Sequence, residues 1–176
     1  MTNNNIYFIA NWKMFGSLSS INSINKVISL SKSKKFKKAR IVYCPPYTLL
    51  ESFVKKTKKS NIKVGAQNCH YESDFGAHTG FVNCKMIKDT GSEFVIIGHS
   101  EVRNEGDDDT KINLKIKSAI KSKLKIIFCI GETLKEKNRN KTNLVLKKQI
   151  KNGLKKINKY ENIIFAYEPV WSIGTG

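Results

Sequence analysis

Acidic residues are scarce in this chain: 14 Asp and Glu stand against 32 Lys and Arg, a formal net charge of +18 over 176 residues. Such an excess admits a nucleic-acid or anionic-surface partner. The lysine runs argue otherwise. Lys34-Lys35-Phe36-Lys37-Lys38, Lys55-Lys56-Thr57-Lys58-Lys59 and Lys147-Lys148 sit in different segments, dispersed between apolar positions at helical spacing, and no aromatic-interleaved RNA-binding pattern accompanies them. The charge reads as solvated helix faces, with no nucleic-acid partner, and its positive field favours the approach of an anionic substrate. Long apolar runs are also missing, so no membrane span is predicted. The first residues, Met1-Thr2-Asn3-Asn4-Asn5, lack the basic start of a signal peptide. Cys44, Cys69, Cys84 and Cys129 form no C-x-x-C pair and no His cluster completes a zinc site, which predicts reduced thiols, a cytoplasmic location and no zinc. No linker or low-complexity segment divides the chain, so one domain over residues 1–176 is expected.

Six short apolar runs are present: Ile6–Ala10, Ala39–Cys44, Ile62–Ala66, Glu93–Ile97, Lys125–Ile130 and Asn162–Tyr167. Each has the length and the Ile, Val, Phe or Tyr content of a strand buried on both faces. Between them lie five stretches with helical spacing, for example Ile112, Leu114, Ile116, Ala119 and Ile120. This βαβα alternation predicts a parallel sheet covered by helices. A doubly wound dinucleotide fold usually carries a Gly-rich turn after its first strand; here that strand runs into Asn11-Trp12-Lys13-Met14-Phe15-Gly16. Polar residues instead follow several strand ends: Asn11 and Lys13, then His99 and Glu101, then Glu168. That distribution is the mark of a (β/α)8 barrel, of which six strands and five helices make up about three quarters.

Glu168 ends an apolar strand and precedes Pro169-Val170-Trp171-Ser172-Ile173-Gly174-Thr175-Gly176. A rigid Pro start, an apolar middle and a Gly-rich end suit a lid that excludes water from a general base. Gly174 would offer a backbone N–H to a phosphate oxygen. His99 stands where a strand gives way to a helical turn, a setting that favours a neutral imidazole able to donate to a carbonyl oxygen. Lys13, beside Asn11, is placed to stabilise an oxyanion, and Glu101 is placed to pair with it or to act as a helix N-terminal acid. Base, electrophile and fixed cation together suit proton abstraction next to a carbonyl. His70 and His78 read as structural.

Six motifs are shared in order with one family: Asn11-Trp12-Lys13-Met14, Gly65-Ala66-Gln67-Asn68, Gly76-Ala77-His78-Thr79-Gly80, Ile96-Ile97-Gly98-His99-Ser100-Glu101, Cys129-Ile130-Gly131-Glu132-Thr133-Leu134 and the terminal lid. From Ile6 to Gly176 the chain resembles the triosephosphate isomerases. The resemblance implies a (β/α)8 barrel and interconversion of dihydroxyacetone phosphate and D-glyceraldehyde 3-phosphate through an enediol, in glycolysis and gluconeogenesis, without a cofactor. It implies Glu168 as base, His99 as electrophile and Lys13 as electrostatic residue. Asn11, Lys13 and Gly174 would bind substrate, supported by Glu101, Ser100 and Cys129. It further implies a homodimer with Met14, Thr79, Phe81 and Val102 at the interface. Where the family usually has Thr-Gly-Glu and Ser-Glu-Arg-Arg, this chain has Thr79-Gly80-Phe81 and Ser100-Glu101-Val102-Arg103, so a charged pair across the interface is replaced by an apolar one. The family continues with two further βα units, so the chain by itself is expected to be molten or aggregation-prone and at most weakly active. A basic nucleic-acid binder built on the same fold, and an inactive partner of a separate C-terminal piece, are the competing readings.

Overall fold

The computed structural model describes residues 5–173. Its six strands are β1 (Ile6–Asn11), β2 (Ala39–Cys44), β3 (Lys63–Ala66), β4 (Phe94–Ile97), β5 (Lys125–Ile130) and β6 (Ile163–Tyr167). They form one parallel sheet in chain order. The strand boundaries differ from the sequence reading by a residue: Asn11 joins β1, while Ile62, Glu93 and Asn162 lie just before the ladders begin. The connections carry α1 (Asn25–Ser31), α2 (Leu50–Thr57), α3 (Cys84–Asp89), α4 (Ser100–Asn104), α5 (Asp109–Lys121), α6 (Leu134–Asn138) and α7 (Thr142–Gly153). Of these, α6 was not expected, and α4 was expected only as a helical turn after His99. Each is five residues long, too short to display an apolar period, and each is set by its cap. His99 accepts the Glu101 amide at the start of α4, and Thr133 and Glu136 close a reciprocal capping box on α6.

Alternation along the strands sorts side chains into two cores. Val42, Cys44, Phe94, Ile96, Ile127 and Cys129 fill the face away from the helices. Ile126, Phe128, Val95 and Ile97 turn to the other face and pack with Phe53, Ile112 and Ile116 from the covering helices. Close packing fixes the small residues too. At the end of α7 a Cβ on Gly153 would come 2.5 Å from the Phe128 ring, so only glycine lets this helix lie against β5.

Burial on both faces holds for the middle of the sheet, where all four residues of β4 are buried. It fails at the edges. Ile6 and Phe8 in β1, and Phe165 and Tyr167 in β6, are exposed, because neither strand has a second neighbour among the described residues. Outside β1, Phe8, Val27, Leu30, Phe36, Ile41 and Tyr43 line an apolar groove of about 380 Å³. No helix among the described residues is long and apolar enough to cross a membrane.

Candidate active site

Parallel strands bring all their C-terminal ends to one rim of the sheet, and the residues after β1, β4 and β6 meet there. Glu168 directly follows β6; its amide donates to the Ile130 carbonyl at 2.9 Å, which carries the β5–β6 pairing one residue past the ladder. One oxygen of its carboxylate accepts the Ser100 amide at 2.7 Å. The other lies 3.2 Å from His99 Nε2. His99 is nearly buried and caps α4, with Nδ1 accepting the Glu101 amide at 3.2 Å. Since Nδ1 acts as an acceptor, the hydrogen of the neutral ring is on Nε2, facing Glu168 and the open mouth. The carboxylate is thus held by two donors, and turning it toward the open mouth requires it to leave at least one of them.

Lys13 has a left-handed backbone, φ +53°, rare for a residue with a side chain. Its neighbours impose this conformation: its amide donates to Asn11 Oδ1 at 3.0 Å, and its carbonyl accepts Gln67 Nε2 at 2.8 Å. Gln67 also donates to the Cys44 carbonyl at 2.8 Å, tying the turn to the end of β2. Strain held by surrounding bonds is common where a side chain must be aimed. The aimed ammonium meets the Glu101 carboxylate at 2.8 Å. Glu101 also occupies the first turn of α4, so both roles considered for it coincide. Its second oxygen stands 3.6 Å from His99 Nδ1; both atoms are acceptors, and no bond joins them.

Cys129 lies in β5 beneath the carboxylate. Burial, and then the nearby Glu168 charge, push its thiol well above the ordinary range, so it is an inert wall of the site. Gly174 lies outside the described residues. The beginning of the lid is visible as a 3-10 turn, Val170–Ser172. Its anchor, Glu132, is a residue whose role the sequence did not suggest. This carboxylate is 1 % exposed yet takes bonds from Trp171 Nε1 at 3.1 Å and Tyr167 Oη at 3.1 and 3.2 Å, while its own carbonyl accepts the Val170 amide at 3.0 Å. Burial would raise its pKa, but the bonds from Trp171, the backbone, Tyr167 and Thr142 outweigh that and hold it below the usual carboxylate range. Lys137 adds a cation–π contact, its ammonium 3.3 Å from the Trp171 ring centre.

Arg103 was also missed as a brace. It donates to the Gly98 carbonyl at 2.8 Å and pairs with Asp109 at 2.9 Å, joining the end of β4 to α5. The available signal was position, Glu132 inside one shared motif and Arg103 just after another; the Glu132 partners lie 35 and 39 residues away, those of Arg103 five and six. Of the remaining expected residues, Met14 is 96 % and Phe81 62 % exposed. Phe81 and Val102 line one cavity of about 540 Å³ within the single chain. His70 stacks on Tyr71 and meets the rings of His78 and Phe81 at a tilt.

A carboxylate, an Nε2–H imidazole and a braced ammonium at the C-terminal rim of parallel strands define a proton-transfer enzyme of the (β/α)-barrel class. Comparison with known proteins then specifies it. The family model described as triosephosphate isomerase matches residues 6–176, and the chain belongs to that family of isomerases. It is 44% identical over 172 residues to the triosephosphate isomerase of Thermodesulfovibrio yellowstonii, covering 97% of this chain and 69% of that one. It is 46% identical over 171 residues to that of Dictyoglomus thermophilum, covering 95% and 68%. The crystal structure of triosephosphate isomerase from Bartonella henselae superimposes with a TM-score of 0.86 at 36% identity, over 94% of this chain and 68% of that chain. The described half-barrel therefore spans about two thirds of the length of its relatives.

Proposed function

We propose that this site interconverts dihydroxyacetone phosphate and D-glyceraldehyde 3-phosphate. The Glu168 carboxylate takes a proton from the carbon next to the carbonyl, and that C–H electron pair becomes the C=C bond of an enediol. The carbonyl oxygen receives a hydrogen bond from His99 Nε2 and faces the Lys13 ammonium, which stabilise the charge it gains. Delivery of that proton to the former carbonyl carbon, with a hydroxyl proton passing from the oxygen that becomes the new carbonyl to the oxygen that was the old one, yields the isomer with no net redox change. Asn11 sets the Lys13 turn, Glu101 aims its ammonium, Ser100 parks the base, and Lys13 with Gly174 takes the phosphate. The observation that carries this reading is the convergence of Glu168 and His99 Nε2 at 3.2 Å at the rim beside Lys13. The reaction belongs to cytoplasmic glycolysis and gluconeogenesis.

The test is glyceraldehyde 3-phosphate turnover by the 176-residue chain, with Glu168→Gln as control. A loss of about 10²- to 10⁴-fold in the variant is expected for removal of a general base. Equal turnover by the two proteins would remove Glu168 from the chemistry; where the unsubstituted chain shows no turnover, as its length relative to the family leads one to expect, the same comparison in a chain extended to the length of its relatives decides.

The same reading includes a homodimer in which Met14, Thr79, Phe81 and Val102 face a second copy. Their support is the solvent exposure of Met14 and Phe81 next to the site. Sedimentation equilibrium of the chain and of Phe81→Glu is the check: association weakened by the substitution is expected, and a monomer throughout would refute the dimer.

A further inference from the structure

The lysines that are scattered along the sequence are gathered by the fold. In a parallel βα chain every connection from a helix to the next strand arrives at the same pole, opposite the catalytic rim. Four of these connections are extreme in composition. Residues 32–40 contain six basic residues, 55–63 five, 121–125 three and 151–159 four; none of these segments contains an Asp or Glu, and the one acid in the rest of these four connections is Glu161, just before β6. Eighteen of the chain's 32 basic residues thus share one pole, all of them exposed. Only Lys55, Lys63 and Lys121 of this set form ion pairs among the described residues. The connection into β4, with Asp89 and Glu93 beside Lys88, separates a larger cluster before β2 and β3 from a smaller one before β5 and β6.

Compensation of helix ends does not account for this charge. Each helix C-terminus carries about half a negative charge, so the four that end here need about two positive charges. Nor does it act as a funnel for substrate, as the sequence reading expected, because the charge is densest on the far side of the sheet from Lys13, His99 and Glu168.

We infer that this pole is a docking surface for double-stranded nucleic acid, held by its phosphate backbone without regard to sequence. The chemistry of the surface selects that partner. Seventeen of the eighteen groups are lysines, point charges that contact phosphates but lack the bidentate fork that reads bases. Phe36 is the only aromatic residue in the four segments, too little for stacking unpaired bases. Their large apolar residues are otherwise buried or partly buried (Ile62, Leu124, Leu154 and Ile157), leaving no apolar wedge for insertion into a bilayer.

The test is fluorescence anisotropy of a labelled duplex DNA of arbitrary sequence, titrated with the 176-residue chain over a range of salt. Binding that weakens linearly in log–log form with salt is expected. Reversing Lys34, Lys35, Lys37 and Lys38 to Glu should weaken it at least about tenfold and reduce the salt slope by about four. A control with the same change in net charge, reversing Lys135, Lys141, Lys147 and Lys148, should retain most of the affinity. Repeating the first set as Lys→Gln guards against a folding effect and should weaken binding in the same direction. Absence of duplex binding, equal loss in the control, or binding to phosphatidylserine vesicles but not to duplex would each overturn the inference.

Discussion

A Cβ atom on Gly131 would stand 2.0 Å from the carbonyl oxygen of Glu168. The backbone bearing the proposed base therefore passes through space that only glycine leaves open. Gln149 clamps the same residue, accepting the Gly131 amide at 2.9 Å and donating to its carbonyl at 3.0 Å. Gly131→Ala should push Glu168 outward, lowering turnover by about 10²-fold, as expected for a misplacement near 1 Å. The overpacking should also cost about 1–3 kcal/mol of stability. Kinetic assay and thermal melting of the variant are the checks; wild-type turnover would show that the strand can shift without moving the base.

Glu132 makes the lid anchor sensitive to acid. Its folded-state carboxyl is held below the usual range by its hydrogen bonds, so its contribution is complete above the unfolded value and lost as pH falls through the folded one. Tryptophan emission from the Trp171 contact should stay constant down to the ordinary carboxylate range and change only below it. Comparison with Glu132→Gln assigns the step: the acid transition should disappear in the variant, whose emission at neutral pH should already resemble the acid form.

Lys115 is a buried cation, its side chain 6% exposed, paired with Asp107 and donating to Asn68 Oδ1 at 2.9 Å. Lys115→Ala leaves the Asp107 carboxylate without its counter-charge and should cost about 3–5 kcal/mol. The double substitution Lys115→Met with Asp107→Asn should cost less than that single change, since no unpaired charge remains. Urea unfolding midpoints of the variants decide it; additive losses would mean that the pair is not coupled.

All four cysteines are free and buried. Burial pushes the Cys44 thiol up to about 12, and Cys129 is raised for the same reason. Cys69 is also raised while its neighbour Cys84 is lowered, principally through the hydrogen bond between them. A thiol reagent such as Ellman's should therefore react slowly with the native chain and stoichiometrically after denaturation. Rapid labelling of Cys129 without unfolding would contradict its placement beneath Glu168.

Much of this molecule was legible before folding was considered. Strand-length runs of Ile, Val and Phe separated by helical spacings require a parallel βα sheet, because each run is too apolar to leave uncovered and each connection is long enough for a helix. Lys13, His99 and Glu168 stood out because polar residues at the ends of such runs fall on one rim. Glu132, Gln67 and Arg103 did not, since nothing local distinguishes a buried, bonded Glu, Gln or Arg from an exposed one.

Local chemistry along the chain therefore determined the elements, their order and the rim on which the reactive groups lie. Only the tertiary structure decided which groups touch: the Ser100 amide on Glu168, the Gln67 amide on Lys13, and Trp171 on Glu132 are contacts between residues far apart in sequence. The fold also decided what the net charge means. Lysine runs that lie in separate segments look dispersed when read in order, yet parallel topology returns each of them to one pole, because every helix must carry the chain back to the sheet's starting end.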